Sequence, residues 1–430
     1  MTETGTKVSG WWRAIPRVFA GILLLIFSCF LIRDSASAGF SRFFSMLAII
    51  ESSVSPADEA VRLAPNDPEA HYTRGLGLVN AGRLDEALTE LREAIRLRPS
   101  HYYEWLDLGV TLDRSGDQAE AESSLKTSIN LAPSFAQPHW QLGNLLFRDE
   151  RYPQAFDELR KGARSNSNLT AGLLQLAWVA AKGEVGNFLS FAHPETKRNY
   201  IDVANFLASQ GNGRAAVEQA RKAGDPGTEE ERNLLKQTVV RLLLARDFAA
   251  AFDLWQLTHA GDGADRASGR IINGDFINPV LRDDPGFGWQ LPEVANVSFS
   301  IDPNGPTPDT RSLRLEFVGD NAPLTPLLNQ IVLVQPGKRY SLNFKARTED
   351  LVTGGPPVVA VFSLNSQPPK ILNMSTPLTS AGSWNGYHFE FWAETTSAVL
   401  FTVERQQCSQ TPCPAFGKLW LGKFNLQSVD

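Results

Sequence analysis

Cys408 and Cys413 are the side chains best placed for covalent chemistry. Four residues separate them in a loop that ends Cys413-Pro414, which is neither the two-residue spacing of a thiol-redox pair nor part of a four-ligand zinc pattern. A local disulfide is the reading they support, with two unconnected thiols as the alternative; the third cysteine, Cys29, lies in an apolar stretch near the start. Disulfides persist in oxidising compartments, so that reading puts the C-terminal part outside the cytoplasm. Other groupings offer less. Gly75, Gly77 and Gly82 resemble a phosphate loop but no lysine follows them. His71 and His139 lack a third group that would complete a Ser-His-Asp set, and no carboxylate pair has a spacing that assigns glycosidase roles. We expect no catalytic residue, no metal site and no cofactor.

The chain has 430 residues, long enough for two or three domains, with 43% hydrophobic and 20% charged residues. A formal net charge of −6 argues against a nucleic-acid partner. The arginines Arg92, Arg96 and Arg98 alternate with Glu90 and Glu93, as on a solvated helix face.

The elements that position these side chains show as a period of 34 residues over 68–101, 102–135 and 136–169. The fourth column holds His71, Trp105 and His139; the eighth holds Gly75, Gly109 and Gly143; the eleventh holds Leu78, Leu112 and Leu146. Column twenty is Ala87, Ala121 and Ala155, and column twenty-four is Leu91, Leu125 and Leu159. Pro65, Pro99 and Pro133 close the cycles, since proline cannot continue a helix. Small residues at two columns let paired helices approach, and large apolar columns fill the space between hairpins. On these residues the chain resembles the tetratricopeptide repeat family, whose helix-turn-helix units stack because one unit cannot cover its own apolar face. Further matches, weaker in pattern, run from Phe43 to about His259, including Ala57 and Ala60, then Leu173, Ala177 and Ala180, then Tyr200, Ala204, Leu207, Gly211, Ala216, Ala220 and Ala223, and last Leu235, Val239, Leu242, Ala251 and Trp255. The array expected over 40–260 thus has five to seven units.

The resemblance implies a concave face, made by the first helix of each unit, that binds a protein partner. Its inward columns give Tyr72, Tyr103, Asp113, Arg114, Trp140, Asn144, Phe147 and Arg148, with aromatics and arginine as the expected anchors. The competing reading is that Trp140 and Phe147 finish the packing between units. Tyr72 and Leu76 stand where the family's carboxylate-clamp members carry lysine and asparagine, so that activity is not expected.

Ahead of the repeats, Val18 to Ile32 is an uncharged apolar run of 15 residues, about 22 Å as a helix against a hydrocarbon core of roughly 30 Å. Arg17 can snorkel and Trp11-Trp12 suit an interfacial belt. Residues 1–33 are expected to form a cytoplasmic tail and single-pass membrane anchor, followed by a second apolar helix from Phe43 to Ile50. Lys7, Arg13 and Arg17 before the run, against Arg33 and Arg42 after it, orient the bulk to the periplasmic side of a bacterial inner membrane. The alternative is a signal peptide cleaved near Ala38, at Ala36-Ser37-Ala38, with secretion.

After a linker at 261–269 the periodicity becomes alternating. Leu313, Leu315 and Phe317, then Tyr340, Leu342, Phe344 and Ala346, alternate with polar residues. About nine strands over 270–430 read as an antiparallel β-sandwich. Asn273-Gly-Asp-Phe276, Gly288-Trp289, Val334-Gln-Pro-Gly-Lys-Arg-Tyr340, Ser383-Trp384 and Leu419-Trp-Leu-Gly-Lys-Phe424 resemble carbohydrate-binding modules of families four and nine. That resemblance implies a jelly roll of galactose-binding-like type and sugar stacking on Trp289, Trp384, Tyr387 or Trp392. Trp420 shares parity with Phe424 and is expected in the core. Ile277 and Gly422 replace oxygen ligands of the family's calcium site, so no calcium is expected. The fold class is therefore multidomain α + β: a transmembrane helix, an α-solenoid, then a β-sandwich. The function expected is a non-enzymatic adaptor in polysaccharide assembly or export outside the cytoplasm; the alternative is a carbohydrate-binding protein whose array is a stalk.

Overall fold

The computed structural model describes residues 11–51, 53–258, 269–281, 284–379, 382–410 and 412–429, and not the side chains of 11–22 and 30. The expected tail at 1–10, the Trp11-Trp12 belt with Arg13 and Arg17, and the linker except Gly269 lie outside these. Contacts group the chain into two compact units, residues 1–193 and 194–430.

In the first unit, α1 (Trp11–Glu51) precedes α2 (Val54–Leu63), α3 (Pro68–Asn80), α4 (Leu84–Leu97), α5 (Tyr102–Ser115) and α6 (Gln118–Leu131). Then come α7 (Ala136–Arg148), α8 (Tyr152–Ser165), α9 (Thr170–Ala180) and α10 (Val185–Ala192). Each odd-numbered helix packs on the next as a hairpin. Local chemistry sets the boundaries: Asp67 caps α3 by accepting from the Glu69 N–H at 3.1 Å with Pro68 in the first turn. At the end of α5, Gly116 takes φ +94°, where a side chain would be strained.

The period's columns meet in space. A Cβ on Gly75 would lie 2.9 Å from Leu91 Cγ, and one on Gly109 2.7 Å from Leu125 Cγ. The column-eight glycines therefore exist because the column-twenty-four leucines of the paired helix occupy their place.

One expectation is corrected here. The apolar run and the segment Phe43 to Ile50 are not two helices but parts of α1, 41 residues and about 60 Å long. Between them Arg33 to Ser41 is mostly serine and alanine without proline, and nothing there interrupts a helix. Its C-terminal half serves as the first helix of the opening hairpin: Ser41, Ser45 and Ala48 are buried, and Ser41 Oγ donates to Ala60 O at 3.0 Å. Ser41 stands one period before Gly75, so the small column reaches back into α1. By length and composition, α1 is the one helix among the described residues able to cross a membrane, over Leu23–Glu51.

The second unit begins with α11 (Lys197–Ser209), α12 (Gly213–Ala223), α13 (Glu229–Leu244) and α14 (Phe248–Thr258). Capping boxes open α11 with Thr196 and Asn199, and α13 with Thr228 and Glu231. Nine strands follow: β1 (Val297–Asp302), β2 (Ser312–Asp320), β3 (Leu328–Leu333), β4 (Lys338–Thr353), β5 (Pro357–Ser363), β6 (Lys370–Met374), β7 (Asn385–Ala393), β8 (Ala398–Arg405) and β9 (Pro414–Ser428). They form two antiparallel sheets, ordered β1-β2-β9-β4-β7 and β3-β8-β5-β6. The inward residues Leu313, Leu315, Phe317, Leu342 and Phe344 of one sheet and Val359, Val361, Phe401 and Val403 of the other share one apolar cluster.

Helix α14 packs on this domain. Trp255 Nε1 donates to Asp284 Oδ2 at 2.8 Å, and Phe287 lies edge-on to Phe252 with centroids 5.1 Å apart. The bulk of Phe252 and Trp255, which an isolated terminal hairpin would expose, is what draws the last helix onto the segment at 284–287 that leads into the sheets.

Candidate functional site

The ring nitrogens in column four are structural latches. His71 Nε2 lies 2.9 Å from Pro65 O, Trp105 Nε1 donates to Pro99 O at 2.8 Å, and His139 Nε2 lies 3.0 Å from Pro133 O. Each ties a first helix to the turn that enters it. The other nitrogen of each histidine faces a carboxylate: His71 Nδ1 is 2.7 Å from Glu90 Oε2, and His139 Nδ1 is 2.6 Å from Glu158 Oε2. An oxygen thus stands at each nitrogen of both rings. The hydrogen bond to Glu90, against the cost of burial, raises the His71 pKa.

The first helices α3, α5 and α7 are cross-tied on the face they share. Tyr72 Oη donates to Asp107 Oδ2 at 2.6 Å, and Arg148 Nη2 pairs with Asp113 Oδ2. Burial pushes the Tyr72 phenol and the Asp107 carboxyl up, and the carboxylate beside it adds to the rise of the phenol. Asn144 turns inward on its own helix, its amide donating to Trp140 O at 2.9 Å. The Trp140 ring abuts α9, where a Cβ on Gly172 would lie 3.1 Å from Cη2. Phe147 packs with centroids 5.4 Å from Tyr152 and 6.0 Å from Phe156. Both are half-buried, Trp140 against α9 of the next hairpin and Phe147 against α8 of its own. Tyr103, 45% exposed, and Arg114 remain open to solvent.

Two charged groups on this array escape a column reading. Glu104 is wholly buried and accepts from Arg98 Nε at 2.8 Å, while Arg98 Nη2 also reaches Glu69 at 3.0 Å. Asp107 could have been found by adding one residue to the period from Tyr72; Glu104 offers no such signal.

In the sheet domain Trp289 is a core residue and not a sugar platform. It is 3% exposed, stacks on Phe276 at 5.5 Å and donates from Nε1 to Asn273 O at 3.0 Å. Tyr387 faces inward and stacks on Phe344 at 5.3 Å. Trp384 has the Arg347 guanidinium 5.6 Å from its ring, and the same guanidinium sits 4.1 Å from the Trp420 ring. Trp420 is buried, but on the opposite sheet face from Phe424. The β4–β9 register shifts by one residue between Lys345↔Gly422 and Asn343↔Asn425, which reverses the parity read from sequence. Trp392 keeps an open ring, 51% exposed.

Cys408 and Cys413 pair as a disulfide with Cα atoms 6.1 Å apart. Beside it Arg405, 1% exposed, donates to Gly355 O at 3.1 Å, to Asn321 Oδ1 at 2.7 Å and to Cys413 O at 2.9 Å. Its desolvation lowers the guanidinium pKa, partly offset by Asp320. Among the described residues no three His, Cys, Asp or Glu side chains converge as a metal site would require.

The tetratricopeptide repeat model matches residues 55–102 and 72–134, and the hairpins there are tetratricopeptide repeats. Among solved structures, a MamA fragment from Desulfovibrio magneticus RS-1 aligns at 20% identity over 44% of this chain and 93% of that one, with TM-score 0.29. YrrB, described as a TPR protein with an unusual peptide-binding site, aligns at 16% identity over 43% and 90%, with TM-score 0.32. A structure described as "CBM4 structure and function" aligns at 16% identity over 37% and 99%, with TM-score 0.27. No curated protein matches the chain.

Proposed function

We propose that this chain is a non-enzymatic adaptor that holds a protein partner against the shared face of its tetratricopeptide first helices, α3, α5 and α7. The observation that carries the reading is the cross-tied face itself. Tyr72–Asp107 and Asp113–Arg148 lock adjacent first helices, so the exposed Tyr103 and Arg114 stand on a preorganised surface. Aromatic and arginine side chains held this way are suited to anchor a partner. We assign 40–260 to the array and 270–430 to a jelly-roll sandwich, with α1 as anchor and the bulk on the periplasmic side, in polysaccharide assembly or export. The exposed apolar side chains of Leu23 to Phe27, Leu31 and Ile32 and the Cys408–Cys413 pairing are consistent with that placement. Photocrosslinking from position 103 of the full chain in its membrane tests the adaptor role. One discrete protein adduct, lost in Arg114→Glu, supports it; a diffuse smear unchanged by that variant rejects it.

A second reading, carbohydrate recognition with the array as a stalk, is favoured by the open Trp392 ring on the outer face of β7. Saturable glycan binding by the full chain that disappears in Trp392→Ala would replace the adaptor reading.

A further inference from the structure

Strand β1 is the outer strand of the five-stranded sheet, and its only strand partner among the described residues is β2. The phase of that pairing is set by the Val318 N–H, which donates to Asn296 O at 3.0 Å. Asn296, Ser298, Ser300 and Asp302 therefore spend their backbone groups on β2, and those of Phe299 and Ile301 face the open edge. The edges at β3 and β6 are guarded. Gln290 bridges to Asn329 and covers part of β3, and β6 carries Lys370 and a register shift against β5. Strand β1, Val-Ser-Phe-Ser-Ile-Asp, has an unbroken register and no lysine or proline, so it lacks the usual protection against added strands.

A cleft of about 440 Å³ runs alongside, walled by Val280, Leu291, Val294, Val297, Phe299 and Ile301. That lies within the roughly 300–1,000 Å³ of ligand sites. Val297, Phe299 and Ile301 pair with Phe317, Leu315 and Leu313 on the inner face, so the cleft is the open margin of the core. Ile301 is 37% exposed there.

We propose that the edge of β1 and this cleft form a docking site for an extended peptide segment of a partner protein, added as a further strand with apolar side chains at alternate positions. A residue opposite Phe299 or Ile301 in an added strand points to the same sheet face, which is the cleft. The free backbone groups select a main chain, and the apolar walls select what it carries. Exposed Glu293 at the rim favours a basic residue at one end of the segment. A second copy of β1 fits poorly, because its own alternate apolar residues already face its own cleft and its own Leu291–Val294 wall would meet this one.

The test is fluorescence anisotropy of full chain in detergent with fluorescein-labelled Lys-Val-Thr-Val-Thr-Val-Thr-Lys. Saturable binding is expected, weakened at least tenfold by N-methylation of alternate peptide amides and by Ile301→Pro. That proline removes an N–H that β2 does not use, so unchanged circular dichroism should accompany the loss. Val294→Trp, which fills the cleft and leaves the β1 backbone alone, should weaken binding similarly, whereas Arg114→Glu on the helical array should not. Absence of saturable binding, equal affinity in Ile301→Pro and Val294→Trp, or loss in Arg114→Glu instead would overturn the proposal. So would concentration-dependent self-association abolished by Ile301→Pro, which would assign the edge to a second copy.

Discussion

Gly143 of α7 and Leu159 of α8 share one space: a Cβ on Gly143 would lie 2.6 Å from Leu159 Cγ and 3.1 Å from Ala155 O. Three columns of the repeat are thus a single contact, and it recurs as Gly109 with Leu125 and Ala121. Gly143→Val should destabilise the array by about 1–3 kcal/mol through overpacking. Gly39 of α1 has nothing within 4 Å of its Cβ position, so Gly39→Ala should stabilise by about 0.5–1 kcal/mol from helix propensity alone. Thermal denaturation of the full chain should separate the two signs.

Stability should fall with rising pH through His71. Its pKa is raised in the folded chain above the ordinary 6.5, chiefly by the hydrogen bond to Glu90. The stabilisation is therefore complete below the unfolded value and is lost as pH climbs through the higher folded value. Melting temperatures measured from pH 5.5 to 9 should decline across that window in the parent and less so in His71→Gln.

Trp255→Phe keeps the ring stacked near Phe252 and Phe287 but loses the 2.8 Å bond to Asp284. A hydrogen bond to a charged acceptor contributes about 1.5–3 kcal/mol, and this loss should appear in urea denaturation as a lower midpoint. Equal midpoints would mean that this bond adds nothing to the hold on α14.

Arg405→Met leaves the carbonyls of Asn321 and Cys413 without their Arg405 donor, while Gly355 O keeps the Thr353 hydroxyl at 3.3 Å. At about 1–3 kcal/mol for each buried group left unsatisfied, the sheet domain should lose roughly 2 kcal/mol or more. Tryptophan fluorescence during guanidinium unfolding would register it.

The helical array was legible because its constraints are local and periodic. A glycine, an alanine and a leucine at constant offsets within one hairpin leave the same trace in each unit, and the alternation of Leu313, Leu315 and Phe317 leaves the trace of a strand. Non-local contacts leave none. Nothing in the order of residues says that α1 runs unbroken into the first hairpin, that Asp284 receives Trp255, or that Arg405 sits among carbonyls from three segments. The site residues divide the same way. Column position alone placed Tyr103 and Arg114 on the first helices, but only packing decided that Trp140 meets the next hairpin and Phe147 its own, that Trp289 fills the core, and that Trp392 stays open. The phase of β9 makes the physical reason plain: one bulge residue near Lys423 turns Trp420 to the face opposite Phe424, because one extra residue against the neighbouring strand flips every side chain beyond it, and that pairing is made only in the folded sheet.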